Sequence, residues 1–234
     1  MLNGLQGLLA GGTRADAVEL LDSGELSIRD VEENLADLAR LNRLPGGTAT
    51  SVRAIRSLLG RTPEASVLDV GTGRADMPIA FARAGWRTVA VDANPQVLGV
   101  ARRLTSRNGG IELTEGDARR LPFADGSFDV AHCSLLVHHL DGDEAVAALR
   151  EMARVARRGV VINDLRRGTL PLLATVASTV LFARSRVTRA DGLTSARRAY
   201  TLAELDGLLA RAGLDPRWRS TRWMPRVVTA AVRS

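Results

Sequence analysis

An apolar run that ends in two closely spaced glycines is the first stretch of this chain that suggests chemistry. Residues 66–78 read Ser-Val-Leu-Asp-Val-Gly-Thr-Gly-Arg-Ala-Asp-Met-Pro, and a helical pattern follows at once. This order predicts a buried strand, a tight turn and a helix packed back on the sheet. Gly71 and Gly73 would let the backbone or a ligand approach more closely than a Cβ permits. The free amide groups at the start of the helix can hold a polar or anionic ligand.

Carboxylates recur at the predicted ends of the strands that follow. A second apolar run, Arg87 to Val91, ends at Asp92, about 20 residues beyond the glycines, where a carboxylate can accept both hydroxyls of a ribose. Another acid, Asp117, follows the next predicted strand. Asp69, Asp92 and Asp117 therefore stand at or near the ends of three predicted strands.

All three histidines lie in or directly after the fourth predicted strand. An imidazole has an unperturbed pKa of about 6.5, which suits it to remove a proton from an acceptor group. His132 lies within the strand and is predicted to be structural. His138 and His139 lie where a substrate should bind, and either a general base or a structural role is open for them.

The order of these motifs resembles that of the class I S-adenosylmethionine-dependent methyltransferases. The residues that carry the resemblance are Asp69-x-Gly71-x-Gly73, Val91-Asp92, Gly116-Asp117-Ala118 and Phe128-Asp129-Val130, within residues 67–161. The chain is similar to the ubiquinone/menaquinone-biosynthesis type and its small-molecule relatives. One departure is Ala75, which stands at the third glycine of the family motif; the family's ligand has no phosphates, which is consistent with that change.

The resemblance implies a cofactor, S-adenosyl-L-methionine, and a product, S-adenosyl-L-homocysteine. It implies that Asp69 organises the amino-acid end of the cofactor and that Asp92 binds the ribose diol. Asp117 and the Ala118 amide would then recognise the adenine. The other residues expected to bind the cofactor are Gly71, Gly73, Ala93, Ser134 and Leu135.

The acceptor half of the site is predicted from the polar residues that follow the fourth and fifth strands. The candidate catalytic residues are His139, His138 and Asp164, and the candidate substrate-binding residues are Arg166, Arg198 and Tyr200. An arginine there could hold a phenolate or carboxylate through two hydrogen bonds, although surface or loop roles remain open for all of these side chains. No Cys/His cluster has the spacing of zinc ligands, so no metal is expected.

The charge balance is strongly basic, with a net charge of +6 and a pI near 11.0. The chain contains no lysine, and its arginines are interleaved with acids, which favours a solvated surface over a nucleic-acid-binding stripe. One cysteine, Cys133, permits no internal disulfide and fits a reducing compartment. Since the start of the chain lacks a signal-peptide pattern, we expect a cytoplasmic protein, either a monomer or a homodimer.

Strand and helix patterns alternate along the centre of the chain and predict a Rossmann-like α/β fold. We expect a seven-stranded, mostly parallel sheet with an antiparallel C-terminal edge, in a core of residues 63–234 that carries a helical insertion at about 166–198. Residues 1–62 are expected to form a helical cover, with helical periodicity over 15–21, 28–44 and 50–59. The predicted core strands are 67–70, 87–91, 111–114, 128–133 and 159–162, with closing strands over 218–223 and 226–232. The predicted core helices are 76–84, 95–106 and 143–156, followed by one from Thr201 to near Gly213.

Residues 169–183 are almost wholly apolar, but they are too few for the roughly 20 that span a bilayer. A buried or lid helix is favoured here over a membrane-touching patch, and no stable membrane insertion is expected. The basic stretch 184–200 is predicted to be irregular.

These observations favour an enzyme that methylates a small, largely apolar metabolite, with a phenolic or polyketide-like hydroxyl as the acceptor. C-methylation of a quinone or phenol ring is the close alternative. Methylation of tRNA or rRNA, suggested by the pI, is more distant, because no appended RNA-binding module is evident. A protein that binds the cofactor without catalysis is a further alternative, and an NAD-dependent oxidoreductase is weaker because the final glycine for a pyrophosphate is absent.

Overall fold

A computed structural model describes residues 14–15, 19–20, 26–62, 64–106, 110–223 and 225–234 of the chain. Its helices are α1 (Ile28–Asn42), α2 (Thr48–Leu59), α3 (Asp76–Arg83), α4 (Pro95–Thr105), α5 (Gly142–Val155), α6 (Thr169–Phe182), α7 (Arg186–Arg198) and α8 (Leu202–Arg211). Its strands are β1 (Ser66–Val70), β2 (Arg87–Asp92), β3 (Ile111–Glu115), β4 (Phe128–Ser134), β5 (Ala156–Leu165), β6 (Leu214–Ser220) and β7 (Arg226–Arg233). A short 3₁₀ turn, Val137–His139, follows β4.

The seven strands form one sheet in the order β3-β2-β1-β4-β5-β7-β6. β1 to β5 pair in parallel, whereas β7 runs antiparallel to both β5 and β6. The predicted fold class is therefore confirmed, including its antiparallel C-terminal edge. Because β1 lies between β2 and β4, the strand order reverses at β1, and the carboxyl ends on either side of it border a crevice of the kind in which ligands bind.

Helices cover both faces of the sheet, so most residues of its central strands are buried. Every residue of β1 is buried. One apolar cluster packs Leu149 and Met152 of α5 against β4 and β5, and another packs Ile55 of α2 and Phe81 of α3 against β1 and β4. Each such side chain contributes about 1.5–3 kcal/mol of burial free energy, which fixes the strand ends in place.

The helices before β1 pack against the core as the periodicity predicts. α1 begins after Ser27, whose hydroxyl accepts a hydrogen bond from the Asp30 amide, and it packs Val31 and Leu35 against the helix after β2. α2 covers the sheet at β4, β5 and β7. The helix predicted over 15–21 lies largely outside the described residues.

Two predictions of secondary structure are wrong. The stretch predicted to be irregular, 184–200, contains α7, which is capped by the Ser185 hydroxyl and packs Gly192 against Thr179 of α6. The buried face of this helix is formed by small residues and by no large apolar ones except Val187, so its sequence shows no apolar periodicity. The first closing strand is β6, which begins at Leu214 rather than at residue 218; its alternating charges and Pro216 are tolerated because it is the outermost strand of the sheet.

The apolar stretch forms α6, and among the described residues no helix is both long and apolar enough to cross a membrane. Only Pro171, Thr175 and Thr179 of α6 are buried, so the expectation of a buried helix holds for one face alone.

Candidate active site

The glycine turn after β1 brings the backbone against its neighbours. Gly71 and Gly73 have φ angles of 69° and 57°, which side chains adopt only at a cost. The amide groups of Gly71 and Thr72 both donate to the Val91 carbonyl, at 2.9 and 3.1 Å, and so join the turn to the tip of β2. A Cβ on Gly71 would lie 2.9 Å from a methyl group of Leu136. The turn therefore takes a backbone conformation that favours glycine, and a side chain at position 71 would press against Leu136.

Ala75 occupies the third glycine position of the motif and keeps the backbone conformation of a glycine. Its φ is 64°, and the residue is completely buried at the N-cap of α3. A left-handed alanine costs about 1–2 kcal/mol, so the chain holds local strain beside the turn. The substitution has not displaced the turn.

Asp69 is buried and doubly hydrogen-bonded at the centre of the crevice. Its Oδ1 accepts a bond from His132 Nδ1 at 2.6 Å, and its Oδ2 accepts one from the Thr72 hydroxyl at 2.8 Å. The other ring nitrogen of His132 lies 2.9 Å from the Ser51 hydroxyl of α2. His132 thus has the structural role predicted for it, because it orients the carboxylate. Ser51 was missed because nothing near it in sequence points to the site.

Asp92 lies at the tip of β2 and faces the glycine turn. Its Oδ2 accepts a bond from the Gly73 amide, and its Oδ1 accepts one from the Asn94 amide, each at 3.0 Å. Burial raises the pKa of this carboxyl, and the two amide bonds oppose that rise. Each carboxylate oxygen keeps a lone pair for a further donor, as two ribose hydroxyls would require.

Asp117 follows β3 and is held by an arginine that the sequence analysis did not select. Arg119 donates through Nε to Oδ1 at 3.0 Å and through Nη2 to Oδ2 at 2.7 Å. These hydrogen bonds lower the pKa of Asp117, so the carboxylate stays ionised. The Gly116 amide donates to the Asp92 carbonyl at 3.1 Å, which places the Asp117 loop beside β2.

One crevice of about 710 Å³ joins these features, and we call it the cofactor crevice. It is lined by every residue that the sequence analysis expected to bind the cofactor: Asp69, Gly71, Gly73, Asp92, Ala93, Asp117, Ala118, Ser134 and Leu135. Leu135, at its floor, has a φ of 54° and donates its amide to the Asn163 carbonyl at 3.0 Å. The carboxylates at successive strand ends, the glycine turn and the volume fit a nucleoside.

A second cavity, of about 270 Å³, opens beside the first, and we call it the acceptor cavity. Most of its wall area is apolar, although about half of its lining residues are polar, and the walls come from α1, α6 and α7 and from the ends of β4, β5 and β7. Leu38, Leu135 and His139 line both cavities. The two cavities therefore meet at these three side chains.

A buried cluster of histidines and carboxylates lies at this junction. Asp164 Oδ1 accepts a bond from His138 Nδ1 at 2.6 Å, and its Oδ2 accepts one from the His138 amide at 3.1 Å. Although burial raises the pKa of Asp164, the charge and hydrogen bond of His138 outweigh it and hold that pKa below its usual value. Glu19 lies opposite, with carboxylate oxygens 3.6 Å from His138 Nε2 and 3.8 Å from His139 Nε2.

The cluster is close enough to share a proton or a cation. One ligand atom from each of Glu19, His138 and His139 lies within 4.8 Å of the others. Glu19 is 4% exposed, and its Oε1 has no hydrogen-bond partner within the described part of the chain. The sequence analysis missed Glu19 because no spacing connects it to the histidines.

Arg226 is a second residue that sequence reasoning missed. It is buried at the start of β7 and lines the acceptor cavity. It donates to Asn42 Oδ1 at 2.7 Å and, over longer distances, to Asn163 Oδ1 and to the Ser134 hydroxyl. Burial lowers its pKa to about 10, so the guanidinium remains charged at neutral pH.

The three predicted substrate-binding residues are placed differently from one another. Arg198 lines the cofactor crevice and donates to the carbonyls of His138 and His139, at 3.1 and 2.5 Å. The Tyr200 hydroxyl donates to the Leu140 carbonyl at 2.8 Å. Tyr200 and Arg166 are not among the residues that line either cavity. Arg198 and Tyr200 therefore bind the backbone carbonyls of the turn that carries His138 and His139.

Comparisons with known proteins agree with this geometry. Residues 67–159 match a family described as "Methyltransferase domain". The demethylmenaquinone methyltransferase of Mycolicibacterium vanbaalenii is 34% identical over 184 residues, which cover 72% of this chain and 76% of that protein.

Solved structures share the fold at low identity. A SAM-dependent methyltransferase from Aquifex aeolicus aligns with a TM-score of 0.61 and 18% identity, over 88% of this chain and 98% of that one. Magnesium protoporphyrin IX methyltransferase from Synechocystis, crystallised with bound SAM, aligns with a TM-score of 0.57 and 20% identity, over 81% and 80% of the two chains.

The chain belongs to the class I S-adenosylmethionine-dependent methyltransferases. It is an enzyme that uses S-adenosylmethionine as its methyl donor.

Proposed function

We propose that this methyltransferase modifies a small, largely apolar metabolite, and that the preferred acceptor is a phenolic or polyketide-like hydroxyl bound in the acceptor cavity. The observation that carries the proposal is the junction of an apolar cavity with the cofactor crevice at His139. In the same proposal, residues 1–62 act as a cover, because α1 contributes Leu38 to both cavities. We also propose a cytoplasmic monomer or homodimer that needs no nucleic acid.

The cofactor-binding roles follow from the crevice. The Asp92 carboxylate accepts the ribose diol, Asp117 and the Ala118 amide recognise the adenine, and Asp69 faces the amino-acid end. When bound, S-adenosylmethionine supplies an electrophilic methyl group on a positively charged sulfur and is released as the homocysteine product. The protein's main contributions are therefore alignment and the exclusion of water.

His139 is the better placed of the two histidines to act as a base. It lines both cavities, and its side chain is 19% exposed, whereas His138 is nearly closed off and bonded to Asp164. The acceptor oxygen attacks the methyl carbon with a lone pair, the carbon–sulfur bond breaks toward sulfur, and His139 takes the hydroxyl proton. His138, Asp164 and Glu19 then orient His139 and balance its charge.

C-methylation of a quinone or phenol ring is the second candidate. The name of the mycobacterial relatives, demethylmenaquinone methyltransferase, favours it. The acceptor cavity would hold the ring of such a substrate as readily as that of a phenol. The base would then remove a proton from the ring or its hydroxyl. The two candidates differ in where the new methyl group is found.

The test is turnover of the full chain with isotope-labelled S-adenosylmethionine and three acceptors: an alkylresorcinol, a demethylated naphthoquinone and bulk tRNA. A labelled methoxy group on the resorcinol, identified by NMR, supports the proposal, and a labelled ring methyl supports the second candidate. Labelling of tRNA alone would overturn both.

His139→Gln tests the base. Loss of a general base reduces turnover about 10²- to 10⁴-fold, and a part of this loss should return as the pH rises and the phenol ionises by itself. His132→Gln serves as the comparison, because His132 is buried behind Asp69 and should alter cofactor binding instead. If Glu19, His138 and His139 share a proton, a chelator should leave turnover unchanged. Turnover that is lost on chelation and restored by a divalent cation would instead show that the cluster binds a metal ion, and His139 would then not be the base.

A further inference from the structure

In α6 the polar side chains face inward and the apolar ones face outward, the opposite of an ordinary surface helix. Its inward face presents Thr175, Ser178 and Thr179, which line the acceptor cavity. The two threonine hydroxyls donate to the carbonyls four residues earlier, at 3.0 Å each, so they need no partner in the cavity. The hydroxyl-bearing side of the helix therefore faces inward.

The outward face of α6 is apolar. Six of the ten large apolar side chains that are exposed in the described part of the chain belong to this helix: Leu170, Leu173, Val176, Val180, Leu181 and Phe182. Leu181 alone is 73% exposed. Leu170, Leu173, Val176 and Val180 are spaced by three or four residues, so these side chains form one stripe, with Leu181 beside it. Adjoining exposed apolar side chains, unlike single scattered ones, mark an interaction surface.

Arginines border this stripe, and acids are absent from the surrounding segment. Residues 165–190 contain five arginines and no aspartate or glutamate. Arg184, Arg186 and Arg189, at the turn between α6 and α7 and on α7, are exposed. An apolar stripe with a basic border is complementary to a bilayer that carries anionic headgroups. A second copy of the same surface would instead bring arginines against arginines.

We propose that α6 docks along the surface of an anionic bilayer, with the stripe from Leu170 to Phe182 in the acyl boundary and the arginines at the headgroups. The helix lies in the interface and does not cross it, since α6 is too short to span. Docked in this way, α6 separates the lipid from the acceptor cavity beneath it. Delivery of an apolar acceptor from the lipid into that cavity rests on the proposed function, whereas the docking itself does not.

Vesicle sedimentation of the full chain, with neither cofactor nor acceptor, tests the docking. The protein should bind phosphatidylglycerol-containing vesicles more tightly than pure phosphatidylcholine vesicles, and raised salt should weaken the difference. The double variant Leu173→Glu/Leu181→Glu should lose binding. Ile28→Glu is the matched control, because Ile28 is 61% exposed on α1, outside the stripe, and should bind as the wild type does. Arg186→Gln should weaken binding about fivefold, since one arginine near a charged surface contributes about 1 kcal/mol.

Circular dichroism and binding of S-adenosylhomocysteine verify that each variant is folded. Absence of vesicle binding overturns the proposal, and so does equal loss with Ile28→Glu. A dimer in sedimentation velocity that dissociates in the double variant would show that a second copy covers the stripe, and would also overturn it. None of these results depends on methyl transfer, so docking and the proposed function can fail separately.

Discussion

Replacement of Asp92 by asparagine is the sharpest test of the cofactor crevice. The carboxylate holds two backbone amides, those of Gly73 and Asn94, and is proposed to accept two ribose hydroxyls. An asparagine keeps one acceptor oxygen and turns its NH₂ group toward one of these N–H donors. The variant therefore loses at least one hydrogen bond to the ribose and places donor against donor beneath it.

The expected loss follows from the charge on the acceptor. A hydrogen bond to a charged group contributes about 1.5–3 kcal/mol, and each 1.4 kcal/mol is a factor of ten in affinity. We expect Asp92→Asn to bind S-adenosylhomocysteine about 10- to 150-fold more weakly than the wild type, measured by isothermal titration calorimetry.

Asp129→Asn is the matched control for this measurement. Asp129 is also a strand aspartate that accepts two bonds, from the amide and the hydroxyl of Ser66 at 2.8 and 3.0 Å, but it lies toward the amino end of β4. Its replacement should leave the affinity within threefold of the wild type. Equal affinity of Asp92→Asn and the wild type would refute the assignment of the ribose to Asp92, and an equal loss in both variants would show a general loss of structure.

Three further changes test the site's geometry and its titration. Gly71→Ala should weaken cofactor binding, because alanine is strained at a φ of 69° and its Cβ would push the Leu136 side chain, which also lines the cofactor crevice. Gly85→Ala, at a positive φ with no atom within 4 Å, should cost only about 1–2 kcal/mol of stability in urea unfolding and leave binding unchanged; equal binding by Gly71→Ala and the wild type would contradict this account. Cys133 is buried and its pKa is raised by burial, so a disulfide reagent at about pH 8 should label it only as fast as the protein unfolds, and rapid labelling would show a local opening. Burial raises the pKa of Asp76, so the folded chain binds this proton more tightly than the unfolded chain and wild-type stability falls as the pH rises through the folded pKa. Asp76→Asn lacks that loss and should melt at a higher temperature than the wild type at about pH 8, an advantage that shrinks toward about pH 4; an advantage independent of pH would contradict this account.

The cofactor crevice could be predicted from the sequence because neighbouring parallel strands all end at the same edge of the sheet, so residues at their ends lie close together. Each strand of the β1 to β4 series ends at the same edge of the sheet, so Asp69, Asp92 and Asp117 meet although they are far apart in the chain. The turn after β1 also tolerates Ala75 in a left-handed conformation. Motifs at successive strand ends are therefore sufficient to predict the carboxylates of this half, but not their partners Ser51 and Arg119.

The acceptor cavity could not be predicted in the same way, because its polar residues share no spacing. Glu19 precedes β1, whereas Arg226 opens β7, and both approach the cavity only after the sheet and its covering helices are assembled. The helix α7 was also not predicted, because Gly192 and its small neighbours pack closely without forming an apolar stripe. Tertiary packing, rather than local pattern, determines this half.

The turn that carries the two histidines is held by bonds to its backbone carbonyls as well as by the bond between His138 and Asp164. Arg14 Nη2 donates to the carbonyls of His138 and Leu140 at 2.8 and 2.7 Å, and Arg198 and Tyr200 donate to carbonyls of the same turn. Arg14 also lies over the Tyr200 ring, 4.6 Å from its centre. Because these donors come from the start of the chain and from the region of α7, the position of His139 depends on segments that also enclose the acceptor cavity. We therefore expect that an acceptor which disturbs those segments would also displace the proposed base, so that acceptors would differ in turnover as well as in binding.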